Sequence, residues 1–166
     1  MVTLRVTYME MNALPREMAP SPSNIAVQID REVLDQTSYL YLYRAVGESL
    51  RWDQRLRMPN GDLQAFLSVH TTHIFVLRLD GQAIGLCEFD GVGNPQIELT
   101  NFGLVPGVQG QRLGPYLLDR ALRVVWSHAP RRIWLHTDTW DHPKAQSVYR
   151  RSGFRICAQR VETFPD

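Results

Sequence analysis

The chain has 166 residues, with 18 Lys and Arg against 17 Asp and Glu and a formal net charge of +1. That length suits one domain spanning residues 1–166, able to bury about two thirds of its unfolded surface. The balanced charge removes the electrostatic argument for nucleic acid or an anionic membrane as a partner.

The N-terminal MVTLRVTYMEM alternates polar and apolar residues and carries Arg5 and Glu10. It reads as a first strand, not as a signal peptide or a membrane span, and a cytoplasmic location is the expectation. LPREMAPSPSN follows as a proline-rich loop, and the chain is expected to turn helical from about Asp30. Tyr39, Leu42, Tyr43, Val46 and Leu50 then form one apolar helix face, and Asn60 to Val69 suits a second, short helix. HIFVLRLD and QAIGLCEFD read as two strands joined by Asp80-Gly81, a dipeptide favoured in tight hairpins. QIELTNFGLV completes a three-stranded antiparallel meander.

Residues 111–128 form the clearest helix, with Leu113, Leu117, Leu118, Ala121, Leu122 and Val125 inward and Asp119, Arg123 and Ser127 on a polar stripe. RIWLHTD is a strand. Pro143 and Gly153 bracket a further helix, proline in its first turn and glycine just past its end. FRICAQRVET is the last strand, expected at a sheet edge and covered by the N-terminus or by a second subunit of a homodimer. The order β-α-α-β-β-β-α-β-α-β defines a mixed α/β sheet. Cys87 and Cys157 lie in apolar runs and read as small core residues without metal-ligand spacing, so no metal is expected; His70 and His73 read as helix-end residues.

The stretch VQGQRLGPYLL, residues 108–118, places a glycine-containing turn between a strand and a helix N-terminus. First-turn amides lack intrahelical partners and carry the positive end of the helix dipole, so an anion is favoured there. A P-loop would need Lys then Ser or Thr after its second glycine, where Pro115 and Tyr116 stand. A dinucleotide fingerprint would need a third glycine at Arg112 and a parallel βαβ setting, which an antiparallel meander does not provide.

QGQRLG resembles instead the pyrophosphate loop of the GCN5-related N-acetyltransferase (GNAT) family, with Arg112 at a position usually held by glycine. Downstream, DHPKAQSVYRRSGF resembles the family's second signature, an Ala, a Tyr and a closing Gly-Phe. YMEM, SYLYLYRAVGESLRWDQR and HTDTWDHPKA extend the likeness over nearly the whole chain, to a bacterial branch with a DHPxA…Y…GF motif. The resemblance implies a GNAT-like acyl-CoA N-acyltransferase fold and transfer of an acetyl group from acetyl-CoA to an amine.

Residue by residue, it implies that the backbone of Leu104 and Val105 meets the pantetheine arm, and that Gln109, Gly110, Gln111, Arg112, Leu113 and Gly114 meet the pyrophosphate. Tyr149 falls where the family's tyrosine protonates the departing thiolate, and equally suits an aromatic packed on the sheet. Glu98 falls where many members carry a carboxylate that accepts the amine proton. An ordinary Glu, near pKa ~4.3, is a weak base unless burial raises it. His136 is a rival base, because imidazole titrates near neutrality; alternation puts it on one face with Trp134 and Asp138, opposite Ile133, Leu135 and Thr137. His142 stands where the family often has Asn. Tyr39, Tyr41, Tyr43, Trp52 and Asp53 lie in the region that walls the family's acceptor site, with Asp53 a candidate partner for an amine. A small-molecule amine is the expected acceptor; a protein lysine or N-terminus, or a non-catalytic acyl-CoA-binding module, are the alternatives.

Overall fold

Ten residues at the N-terminus form β1 (Val2–Met11), and they occupy the second position of the sheet from its far edge, not an edge. The remaining elements are β2 (Val27–Arg31), α1 (Gln36–Gly47), α2 (Asp62–Ser68), β3 (His73–Leu79), β4 (Gln82–Asp90), β5 (Gln96–Leu104), α3 (Leu113–Trp126), β6 (Arg132–Asp138), α4 (Ala145–Arg151) and β7 (Arg155–Phe164). This computed structural model describes every residue except Ser23, Asn24, Asn60, Gln109, Gly110 and Asp166. The seven strands form one mixed sheet in the order β2-β3-β4-β5-β6-β1-β7. All neighbours are antiparallel except β5 and β6.

Local chemistry explains most of these elements. Asp80 (φ 51°) and Gly81 (φ 81°) both take positive φ, the geometry that matches a two-residue turn to the twist of β3 and β4. Asp35 caps α1 by accepting from the Ser38 amide at 2.7 Å. The six apolar residues expected inward on α3 are all buried, and Arg123 pairs with Asp119 one turn earlier at 3.0 Å. Gly153 (φ 109°) follows α4 as a left-handed stop.

Two apolar layers lie on opposite faces of the sheet. Phe75, Leu77, Cys87, Phe89, Ile133 and Leu135 pack under α3 and α4, whereas Ile74, Val76 and Leu86 pack under α1 and α2. Among the described residues, the apolar layer under α1 and α2 takes no member from β6, β1 or β7, whose faces on that side lie beyond these helices. Residues opposite one another across these strands share that open face: Trp134 with Glu10, and His136 with Tyr8.

Four expectations change. Residues 27–31 are a short strand, and α1 begins only at Gln36: Val27 and Ile29 pack against the α3-side core while Gln28 between them faces solvent. Cys157 is exposed, because β7 is the sheet's edge strand, while Cys87 is buried as expected. His73 is a buried strand residue; burial pushes its imidazole down to about 4, and its ring meets His128 edge-on. The final strand does lie at the edge, but β1 pairs with its inner side only.

Close approach of α1 to the sheet depends on glycine. A Cβ at Gly103 would lie 2.6 Å from Val46 Cγ1. Gly103→Ala is therefore expected to push α1 away from β5 and to lower stability by about 1–3 kcal/mol, read as a lower urea midpoint at unchanged m-value.

Candidate active site

Strands β5 and β6 pair at only three positions, Gln96 with Arg132, Ile97 with Ile133 and Glu98 with Trp134. Beyond them both strands continue, β5 to Leu104 and β6 to Asp138, with no further pairing between them among the described residues. The backbone groups on the facing edges are thus left for another partner, which an extended chain-like ligand satisfies as an added strand would. A bulge accompanies the parting: Glu88 pairs with Asn101 and Phe89 with Leu99, so Thr100 is an additional residue on β5.

Two of the expected proton-handling groups meet where the strands separate. Glu98 Oε1 lies 3.7 Å from His136 Nε2, from β5 and β6 respectively. Burial raises the Glu98 carboxyl above the usual range, an effect the nearby imidazole opposes. Half-buried Asp138, at the end of β6, is also raised by burial and by Asp141. Around them the open face is aromatic and polar: the Tyr8 ring lies 5.8 Å from His136 and 6.4 Å from Trp134, and the Tyr8 hydroxyl donates to Glu162 at 2.6 Å.

Tyr149 approaches from the opposite face. It is 8% exposed, with Phe102 and Phe154 rings 5.8 and 5.9 Å away. Burial pushes its phenol well up, so the hydroxyl keeps its proton at neutral pH. The packing reading of this residue is what the rings show: Tyr149 lies on the sheet beside Phe102, on the strand that borders the gap. His142 Nδ1 accepts from the Lys144 amide at 3.1 Å, which engages it at the start of α4.

The anion-binding end is α3. No side chain caps its N-terminus and its first turn holds no acidic residue, so the Leu113 and Gly114 amides point out unpartnered by helix geometry. Arg112 sits at the N-cap with φ 60° and ψ 17°, the left-handed region that favours glycine. That conformation explains why a glycine suits the position, and the exposed guanidinium is what this chain has there instead. Gln111 is exposed beside it, whereas the Leu113 side chain is wholly buried and offers only its backbone. Gln109 and Gly110 lie outside the described residues. Val105 donates its N–H to Ile84 at 2.9 Å and accepts from Val108 at 3.2 Å, so its amide is already engaged.

The segment between α1 and α2 reaches across the same end of the sheet. Arg51 lies over the Trp140 ring at 4.8 Å, and Arg57 donates to the Pro165 carbonyl at 3.2 Å. Asp53 is ion-paired with Arg57 one turn on, and is thereby occupied. Tyr39 and Tyr43 are buried core residues, Tyr41 is 77% exposed, and half-buried Trp52 lies on this connecting segment, a strap of residues 51–58. Glu88, wholly buried on β4, escaped the sequence reading; the signal was a lone charge inside the apolar run IGLCEF.

A gap between parallel strands, an uncapped helix N-terminus at its end and a half-buried carboxylate on its rim match the acyl-CoA N-acyltransferase class of α/β folds. The chain belongs to the acetyltransferase (GNAT) family, whose profile matches residues 36–154. It is 28% identical over 94 residues to a Bacillus subtilis (strain 168) protein provisionally named [ribosomal protein bS18]-alanine N-acetyltransferase, a match covering 57% of this chain and 61% of that one. Among solved structures it is similar to an aminoglycoside acetyltransferase, meta-AAC0020, from an uncultured soil metagenomic sample (TM-score 0.68, 17% identity, 84% of this chain and 95% of that one). A GCN5-related N-acetyltransferase from Sphaerobacter thermophilus also matches (TM-score 0.62, 16% identity), over 96% of this chain but 50% of its own length. The chain thus spans about half to three fifths of several relatives. Among the described residues no helix is long and apolar enough to cross a membrane, and no cluster of three or more His, Cys, Asp or Glu could hold a metal.

The raised Glu98 carboxyl carries a stability signature. The folded protein holds that proton more tightly than the unfolded chain, so stability is lost as pH rises through the raised value. Glu98→Gln is expected to melt higher than the parent at pH 8 and to converge with it below about pH 4. Arg112→Gly relieves the left-handed strain and is expected to raise stability by up to about 1 kcal/mol. It is also expected to weaken coenzyme A binding about tenfold in low-salt calorimetry, the loss of one charge-assisted contact.

Proposed function

We propose that this protein is an N-acetyltransferase that moves an acetyl group from acetyl-CoA to a primary amine of a small molecule. The observation that carries the proposal is the Glu98–His136 pair at the point where β5 and β6 part. Acetyl-CoA supplies the activated acetyl thioester; transfer forms the N–C bond and breaks the C–S bond, with its electron pair leaving on sulfur.

Glu98, whose carboxyl burial makes more basic, takes the proton released by the attacking amine, and half-exposed His136 passes it to solvent. Tyr149 returns a proton to the departing sulfur from a hydroxyl that burial keeps protonated. The free edge of β5 up to Leu104 holds the pantetheine arm. The amides of Leu113 and Gly114, with the Gln111 and Arg112 side chains, hold the pyrophosphate. Val105, whose N–H donates to Ile84 and whose carbonyl already accepts from Val108, offers the arm only the second lone pair of that carbonyl.

The Arg51–Trp140 contact bridges the strap and the β6–α4 connection, and so supports a compact amine over an extended peptide. The Bacillus relative's name favours a peptide N-terminus as the second reading. A panel holding polyamines, aryl amines, an aminoglycoside, a lysine peptide and an alanine-terminated peptide, followed by acceptor-dependent thiol release, separates the two. The expected outcome is turnover with at least one small amine. Turnover with peptides alone moves the acceptor to a protein, and acetyl-CoA binding without any turnover defines a binding module. Tyr149→Phe is expected to keep acetyl-CoA affinity and to lose about 10²-fold in kcat; full kcat would remove Tyr149 from proton transfer.

A further inference from the structure

The Glu88 carboxylate lies under α1 at 0% exposure and gathers four donors from three parts of the chain. The Tyr39 hydroxyl of α1 donates to Oε1. Arg55 Nη2, from the strap, donates to Oε2 at 2.7 Å, Asn101 Nδ2 donates to the same oxygen at 2.8 Å, and the Thr100 hydroxyl contacts it too. Thr100 and Asn101 are the two bulged residues of β5. A regular strand would send these neighbours to opposite faces, so one acceptor serves both only because the strand is bulged. The Arg55 guanidinium is itself buried, stacked over Phe66 at 4.1 Å.

Packing does not account for this arrangement. A buried ion pair is weak support for stability, since well-packed apolar residues of similar volume often do as well. What a charged acceptor adds is a fixed geometry for every donor aimed at it, and here the donors belong to the bulge that accompanies the gap and to the strap that crosses its end.

We propose that Glu88 is a positioning residue for acyl transfer: it locks the β5 bulge, α1 and the Arg55 strap into one unit, and thereby sets the gap in which Glu98 and the thioester meet. The inference rests on the acetyltransferase reading for its kinetic consequence but not for its structural one. Glu88 lies on β4 behind the gap and acts through Thr100, Asn101 and Arg55.

The experiment compares the parent with Glu88→Gln, which keeps shape but turns an amide donor toward the donor cluster, and with Asn101→Ala, which removes one bulge donor and is the milder change. Amide hydrogen exchange with and without coenzyme A is read beside acetyl-CoA affinity and kcat for the best amine of the panel. Glu88→Gln is expected to speed exchange about tenfold or more in residues 51–58 and 99–102 with little change in β1 and β7. It is expected to hold acetyl-CoA affinity within about threefold and to lower kcat about thirtyfold or more. Asn101→Ala is expected to speed exchange at 99–102 but not at 51–58, with kcat falling about threefold to tenfold. Uniformly faster exchange, or local loosening with an unchanged kcat, overturns the proposal. If Glu88→Gln does not fold, Asn101→Ala decides by the same two criteria. Should no amine on the panel turn over, the acetyltransferase reading fails by itself, and the exchange pattern still supports or overturns the locking role.

Discussion

The structure turns on the separation of two parallel strands. β5 and β6 share a ladder over three residue pairs and then part, in a sheet whose other neighbours pair over longer runs. Leaving strand edges unpaired in a protein interior is costly unless something else meets them. The gap is therefore a slot whose edges an extended polar chain would satisfy, and the N-terminus of α3, at its end, is the positive pole of that helix. Around the slot, Glu98 and His136 come from one face of the sheet and Tyr149 from the other.

Holding a slot open is a mechanical problem. α1 stands on one face through the close approach at Gly103, and α3 on the other through Leu113, Leu117 and Leu118. Neither layer touches the bulge with a specific bond. Glu88 does so, because a carboxylate, with about four acceptor sites on two oxygens, takes more donors at once than a neutral amide or hydroxyl. The strap is held at three arginines, Arg51 on Trp140, Arg55 on Glu88 and Arg57 on Pro165, which places RWDQRLR at the end of the sheet where β6 and β7 finish and β1 begins.

Legibility in the sequence followed the range of the physics. α3, the Asp80-Gly81 hairpin and the Pro143–Gly153 bracket are local patterns, and each stands where its pattern put it. β2 was lost in a proline-rich neighbourhood, although Val27 and Ile29 alternate with polar residues as a short half-buried strand should. The exposure of Cys157 depended on β7 being an edge, which is a fact of sheet order and not of the apolar run around the cysteine. β1 and β7 lie outside the segment that matches the family profile, and their mutual pairing joins residues more than 140 positions apart, as Glu10 with Arg155 shows. At the candidate site, the family resemblance pointed to Glu98 and Tyr149 and imidazole chemistry to His136; nothing pointed to the role of Glu88, because its partners Arg55 and Asn101 are brought to it only by the fold.

The central claim is that the gap between β5 and β6 receives the pantetheine arm with the pyrophosphate seated on α3. A crystal structure of the coenzyme A complex tests it most directly. The account predicts the phosphates against the amides of Leu113 and Gly114, the arm along β5 toward Leu104, and the sulfur between Glu98 and the Tyr149 hydroxyl. Coenzyme A bound away from the gap, or a sulfur out of reach of Tyr149, would contradict it.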